Sequence, residues 1–454
     1  MADALPARPT LSLSDHALRT LKLAAPVTVA RTGMLAITTA DVVMTGRAGA
    51  NELAYLGLAI APQMTLALTG IGLLQGTTIL TAQAYGANAH RDCGAFWRIG
   101  LLHALALGLL GALLMLLAEP FFRLTGQSPE LAQGAARAMH AFAWGLPGFL
   151  MFAATTAFLE AVNRPLPGMV VMLIANAVNV ALNWVLIYGH LGAPALGAEG
   201  AAHATSAVRW LMFALLAGYA LVMPGHRALG VKGPIEAGRL KARKLRRLGY
   251  PIGLTYGLES GAITSLVIMA GTMGAVATAA YQIAHNLMAL AYMPTIGLAT
   301  AASVRVGNAV GRGDATGIAR AGWIACVMGL ALMALVAIGY AGIPRALAQL
   351  YSPDPAVVAL ATPLIGVVAI ALLFDSAQGI LIGAARGAAS VWVPTAIHVG
   401  VYWGIAVPLG YGLAFGVGLG TLGLLWGLTA GFGAASAALA VHFLRLTRRP
   451  FERY

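Results

Sequence analysis

Twelve long apolar runs recur along the chain, near residues 22–46, 53–81, 95–117, 133–160, 167–189, 197–223, 250–272, 279–309, 318–342, 357–384, 391–414 and 418–444. A helix needs about 20 such residues to cross the hydrocarbon core of a bilayer. No soluble core could cover twelve helices of this kind. Inside a bilayer, moreover, each backbone amide must be paired within its own helix or a closed barrel. Charged residues make up 9% of the chain, against about 25% in soluble domains. The expected fold class is an all-α membrane protein of about twelve transmembrane helices. Several runs exceed the minimum, so tilted or kinked helices are expected.

Loops between successive spans alternate sides. If the N-terminus is inside, the inner loops and tails hold 21 Lys and Arg, and the outer loops hold only Arg47, Arg123, Arg137 and Arg345. Basic excess marks the cytoplasmic side. A multi-pass protein of the cell inner membrane, with both termini cytoplasmic, is the expected placement. Arg31, Arg209 and Arg305 fall within spans. The first and last lie toward the cytoplasmic ends and can snorkel; Arg209 is deeper, and the sequence names no partner for it.

The net charge of +13 does not point to nucleic acid. The run Arg239, Lys241, Arg243, Lys244, Arg246 and Arg247 carries no aromatic or groove-reading pattern, and reads as an inside anchor at the lipid surface. Asp3 and Asp15 lie in a polar tail followed by an apolar run too long for a signal peptide. Cys93 and Cys326 have no metal-ligand spacing and read as small packing residues rather than a disulfide.

The two halves of the chain repeat each other. Leu23-Ala24-Ala25-Pro26 aligns with Leu248-Gly249-Tyr250-Pro251. Gly86 after Gln83-Ala84-Tyr85 aligns, at the same offset, with Gly311 after Asn308-Ala309-Val310. The pair Trp97 and Trp323, and the pair Gly197-Ala198-Glu199-Gly200 and Gly420-Thr421-Leu422-Gly423, keep that offset to within a few positions. Six helices per half is an even number, so both halves cross in the same sense. Parallel repeats about an axis along the membrane normal, with a site between them, are a transporter architecture. The expected organisation is a tail at 1–21, an N-lobe at 22–225, a basic linker at 226–249, a C-lobe at 250–445 and a second tail at 446–454.

Of the 15 acidic residues, twelve fall in tails, loops or helix ends, among them Glu160. Asp41, Glu259 and Asp375 remain, in the first, seventh and tenth spans. An ionisable side chain there costs about 2.5–3.5 kcal/mol on insertion scales, so it faces a cavity or partner and marks a transport path. Such a carboxyl can trade a proton for a metal ion or an organic cation. Asn176, Asn179 and Asn183 share one face of the fifth span, and Thr205 follows in the sixth. With Asp41, the side chains of Asn179, Asn183 and Thr205 could supply an all-oxygen set suited to a hard cation. Hydrogen bonding between helices explains the same residues equally well. Gln282, His285 and Asn286 form a second polar stripe. Gln282, Asn286, Asn176 and Gln378 are candidate cavity-lining residues, whereas His103, His140, His203 and His398 have no metal-like pairing.

Pro251-Ile252-Gly253-Leu254 with Glu259-Ser260 resembles the seventh-helix signature of the multidrug and toxic compound extrusion (MATE) transporters, NorM-like branch. So does Asp41-Val42-Val43-Met44-Thr45-Gly46-Arg47. Asn163-Arg164-Pro165, Asn183 to Gly189, and Ala301 to Asn308 with Gly311 and Gly313-Asp314 are also similar to that family. The likeness runs from about Leu23 to Gly433. It implies two six-helix lobes in a V around a central cavity that opens alternately to each face. It also implies export of amphipathic, often cationic small molecules in exchange for Na⁺ or H⁺, with no cofactor and no catalysis, by a chain acting as a monomer. It places Glu259 and Asp375 in a C-lobe cation site, and Asp41, Asn179, Asn183 and Thr205 in an N-lobe one. The family pattern often has Tyr four residues before the tenth-helix Asp, where this chain has Ala371. Na⁺, if used, is therefore expected in the N-lobe, with Glu259 and Asp375 answering to protons and substrate.

Two rivals come from other classes. Gly311-Arg312-Gly313-Asp314 matches an intramembrane aspartyl protease string, but no Tyr-Asp helix precedes it. A lipid-linked oligosaccharide flippase of related fold would need a cationic cavity, whereas the deep charges here are mainly acidic.

Overall fold

The computed structural model describes residues 13–234 and 238–448. The first twelve residues of the expected N-terminal tail, Glu236 of the linker and the C-terminal tail from residue 449 lie outside the described residues. Among the described residues, twelve elements are long and apolar enough to cross a bilayer, eleven as single helices and one as a bent pair. They are α1 (Leu13–Ala48), α2 (Ala50–Gly86), α3 (His90–Met115), α4 (Pro129–Ala143 with Gly145–Ala161), α5 (Leu166–Tyr188) and α6 (Gly197–Val222) in the first half. The second half has α7 (Gly238–Gly271), α8 (Ala275–Arg312), α9 (Ala315–Gly342), α10 (Pro355–Gly387), α11 (Trp392–Gly416) and α12 (Thr421–Thr447).

The duplication is written into the backbone. Residues of positive φ recur at matched positions: Gly49 and Gly274, Asn88 and Gly313, Asn163 and Ala389, Gly192 and Gly418, Gly197 and Gly420. Each pair keeps the offset of the sequence repeat. A short helix, Ala118–Leu124, likewise has its counterpart at Pro344–Tyr351. Each half is therefore the same six-helix lobe, traced twice.

The lobes differ in two of their helices. The two segments of α4 meet at 43°. Pro147 has no N–H to offer the carbonyl of Ala143, so the ladder fails one turn earlier. The kink is held from α6: Ser206 donates to the Ala141 carbonyl at 2.7 Å, and the Trp210 indole donates to the Trp144 carbonyl at 2.8 Å. The counterpart α10 is continuous. In α11 the departure takes another form, with π-turns at Tyr402–Ala406 and Gly412–Gly416 on either side of Pro408.

Helices α1–α6 pack on one another, as do α7–α12. Between lobes the main contacts are α2 with α7, α1 with α8, and α2 with α8. This seam obeys the repeat. Gly72 of α2 faces Gly253 of α7, where a Cβ would fall 2.7 Å from the facing Cα. At the matching position of the second lobe, Gly297 of α8 faces Thr28 of α1. Gly86 and Gly311 likewise sit against the backbones of Asn308 and Gln83, respectively. Apolar burial gives no drive between helices in lipid, so small residues that let backbones touch do the joining.

All these contacts lie toward one end of the helices, the end carrying the basic run. There Gln83 donates to the Gly387 carbonyl at 3.0 Å, Lys241 pairs with Asp92 at 2.7 Å, and Arg246 meets His103 at 3.1 Å. The basic segment Arg239 to Arg247 is itself helical, forming the first turns of α7, and it packs on the first lobe. Toward the other end the close approach ceases. Gly257 barely reaches Thr69, and Gly261 meets only Trp403 of its own lobe. The lobes form a V, joined at one end and parted at the other.

Arg305 is not a snorkelling residue. It is buried in the seam, where its guanidinium donates to the His16 carbonyl at 2.8 Å and also meets the Thr20 hydroxyl and His16 Nδ1. The seam brings the first turns of α1 over it, so the guanidinium finds acceptors without leaving the protein.

Candidate functional site

The N-lobe set assembles inside the first lobe. α1 supplies Asp41, α5 supplies Asn179 and Asn183 one turn apart, and α6 supplies Thr205. All four are buried. Asp41 Oδ1 accepts from Asn179 Nδ2 at 3.1 Å and Asn183 Nδ2 at 2.7 Å, and Oδ2 accepts from the Thr205 hydroxyl at 2.6 Å. Asn179 Nδ2 also donates to Thr205 Oγ1 at 3.1 Å, and Asn183 Nδ2 to Asn179 Oδ1 at 3.2 Å. The three side chains thus turn donors, not lone pairs, toward the carboxylate. Asn176 is apart from them, tied to the carbonyls of Gly33 and Met172.

Arg209 stands one turn beyond Thr205 on α6. Its neighbour, invisible in the sequence, is Gln63 of α2: with the amide turned so that its oxygen faces the guanidinium, that oxygen accepts from the two terminal nitrogens at 2.7 and 3.3 Å. The ring centroids of Phe142 and Phe149, from the kinked α4, lie 5.5 and 5.0 Å from the guanidinium carbon.

The C-lobe acids come from α7 and α10. Glu259 Oε1 accepts from the Tyr402 hydroxyl at 3.0 Å, at the first π-turn of α11. Asp375 Oδ1 accepts from Gln378 Nε2 at 3.0 Å, one turn along α10. Tyr292 of α8 reaches the same stretch of α10: a Cβ at Gly379, one turn beyond Asp375, would fall 2.5 Å from its hydroxyl. Arg386 donates to the Tyr256 hydroxyl at 3.2 Å and lies over its ring. Among the described residues, neither acid has an ion pair within 4 Å.

Ala371 therefore does not leave this site without phenols. Tyr256, Tyr292 and Tyr402 approach from α7, α8 and α11, three helices other than the one where sequence comparison looks for a tyrosine. His398 packs against Tyr402 with ring centroids 5.6 Å apart, and among the described residues neither of its ring nitrogens has a hydrogen-bond partner. Of the remaining candidates, Gln378 belongs to the site. Gln282 and Asn286 are exposed on α8, with Asn286 accepting from Tyr351 at 2.9 Å.

One sequence reading changes. Glu160 does end α4, yet it is only 5% exposed and joins Asp41 and Asp375 among the buried acids. Helix-end position in the chain hid its depth in the lobe. Asp314, whose protease-like string the sequence already set aside, caps α9, accepting from the Gly317 amide at 2.7 Å.

Comparison with known proteins follows the same division. The MatE family model matches residues 26–185 and again 251–412, one copy per lobe. The chain is 34% identical over 446 residues to the probable multidrug resistance protein NorM of Caulobacter vibrioides, covering 98% of this chain and 95% of that protein. It is 33% identical over 450 residues to the multidrug resistance protein NorM of Burkholderia vietnamiensis, covering 95% and 94%. Its fold is similar to the crystal structure of the eukaryotic MATE transporter AtDTX14, with a TM-score of 0.87 at 20% identity, over 96% of this chain and 99% of that one.

Proposed function

Because this chain belongs to the MatE family of transporters, we propose that it is a multidrug efflux transporter driven by cation exchange. It is not an enzyme and uses no cofactor. It exports amphipathic, cationic small molecules from the cytoplasm in exchange for Na⁺ or H⁺, acting as a monomer in the cell inner membrane.

One observation carries the coupling: the second lobe holds two acids within its spans, Asp375 buried and Glu259 half-buried, and among the described residues neither has a basic partner at ion-pair distance. Two such carboxyls cannot both stay charged cheaply away from water. They hold a proton or cation, or they hold the cationic group of a substrate, and exchange follows from that exclusion. Tyr402 and Gln378 orient them by one hydrogen bond each. Tyr256, Tyr292 and Trp403 give the surroundings an aromatic character suited to organic cations.

Residues 22–225 and 250–445 are the two moving lobes. The basic asymmetry puts the joined end of the V in the cytoplasm, so the state described faces outward. Export then requires the seam of α1, α2, α7 and α8 to part and the opposite ends to close, carrying the site from one face to the other. The test is ethidium efflux from cells expressing the protein, with and without imposed Na⁺ and proton gradients. Efflux that is equally fast with every gradient collapsed would overturn cation coupling.

A further inference from the structure

We propose that Arg305, His16 and Thr20 form a latch across the basic end of the seam, and that His16 makes the latch proton-sensitive. It holds while the imidazole is neutral and lets go when the ring is protonated. The proposal rests on the alternating-access reading, in which α1 and α8 part once per cycle, and concerns what controls that parting.

α1 belongs to the first lobe and α8 to the second, so each bond from Arg305 to the first turns of α1 joins the lobes. One terminal nitrogen of the guanidinium donates to the His16 carbonyl at 2.8 Å and to the Thr20 hydroxyl, and the other meets His16 Nδ1. The Thr20 hydroxyl donates in turn to the His16 carbonyl at 3.0 Å. All three residues are buried. A guanidinium has donors only. Nδ1 opposite it must present a lone pair, which makes the ring neutral and puts its proton on Nε2.

Protonation reverses that contact. A hydrogen on Nδ1 would point at an N–H group, a charge-assisted hydrogen bond would be lost, and two cations would meet where screening is weak. The charged groups around the ring are Arg305 of α8, Arg19 of α1 itself, Arg320 of α9 and, with the opposite sign, Asp314 at the start of α9. Three positive charges against one negative oppose a fourth. The joined seam therefore takes up the proton less readily than the parted one, and by linkage a falling pH favours parting. In the proposed orientation, acid in the cytoplasm eases opening toward the cytoplasm.

The repeat shows that this device belongs to one side of the seam. In the register that pairs Gly72 with Gly297, His16 is matched by Lys241 and Arg305 by Leu80. Lys241 makes an ion pair with Asp92 of α3 at 2.7 Å, a contact that stays charged across the range in which histidine titrates. One side is tied by a permanent ion pair, the other by a pair that one proton can break.

The test is double electron–electron resonance on purified protein in detergent. Spin labels go on Arg164→Cys and Ser390→Cys, repeat-matched positions in the α4–α5 and α10–α11 connections; Cys93 and Cys326 are buried. Between about pH 8 and about pH 5.5, where histidine titrates, the ratio of parted to joined lobes should rise about tenfold, the worth of one hydrogen bond to a charged group. His16→Asn keeps an acceptor beside Arg305 and cannot be charged, so it should stay joined throughout. Thr20→Val weakens the latch without removing the titration, and should raise the parted fraction at high pH while keeping the response. A distance distribution that ignores pH, or a response that survives in His16→Asn, overturns the proposal. So does a response abolished by His103→Gln, which would put the sensor at the contact of His103 with Arg246. If His16→Asn is not recovered folded, Arg320→Gln is read instead: the midpoint of the response should move to higher pH, and an unmoved midpoint overturns the proposal. No transport is measured, so failure here leaves the exporter reading to its own efflux test.

Discussion

Thr205→Val tests whether Asp41 is held as an anion by its donor shell. The substitution is nearly isosteric, so little cavity or strain energy enters. It removes one short bond donated to Asp41 Oδ2 at 2.6 Å and one accepted from Asn179 at 3.1 Å. A hydrogen bond to a charged group contributes about 1.5–3 kcal/mol, and one between neutral groups about 0.5–1.5 kcal/mol; neutral bonds between membrane helices average about 0.6 kcal/mol. With Asp41 ionised, the loss should be about 2–3 kcal/mol. In an Asp41→Asn background the same change should cost under about 1 kcal/mol, leaving a coupling of about 1–2 kcal/mol between positions 41 and 205. At an unfolding entropy of about 2 cal/mol/K per residue, 1 kcal/mol is worth on the order of 1 °C in a chain of this length. Thr205→Val alone should therefore lower the melting midpoint in detergent by about 2–3 °C, and SDS-titrated unfolding reads the same free energies directly. Equal losses in the two backgrounds would refute the ionised carboxylate and its donor shell together.

Other outcomes follow from the same geometry. Glu259→Gln and Asp375→Asn should each abolish gradient-driven ethidium efflux while expression stays near wild type, since neutralising an intramembrane acid removes an insertion cost; retained efflux in both sinks the C-lobe assignment. A cysteine at Lys241 should resist an impermeant maleimide applied to intact cells, and labelling there would invert the proposed orientation. Gly86→Val drives a side chain into the Asn308 backbone across the seam and should cost about 1–3 kcal/mol and most efflux, whereas Gly218→Val, with open space around it, should change neither. Ala389 adopts φ 58°, a conformation costing roughly 1–2 kcal/mol for an L-residue. Ala389→Gly should raise thermal stability slightly, by about 0.5 kcal/mol after the extra freedom of glycine in the unfolded chain is set against it; a lower midpoint would show that the methyl's packing outweighs the strain.

The spans, their number and the duplication were readable from the chain alone, because each is a local or periodic property. A helix in lipid pairs its own backbone, so length and hydropathy suffice to locate it, and the twelve runs became α1–α12. The convergence of Asp41, Asn179, Asn183 and Thr205 was also within reach, since α5 and α6 are joined by a short connection and their polar residues share faces. What those side chains turn toward one another was not. Whether an asparagine offers N–H or oxygen depends on the charge it meets, and that charge is the Asp41 carboxylate, which α1 brings against α5 and α6. The phenols around Glu259 and Asp375 escaped for a related reason. A tyrosine lost at 371 is compensated from Tyr256, Tyr292 and Tyr402, on helices whose neighbourhood is set by packing and not by chain order. Arg305, Glu160 and the Gly72–Gly253 seam are of the same kind. Sequence carries the period of each helix, but the rotation of one helix against another arises only when small residues let the backbones meet, and that rotation decides which polar atoms face each other.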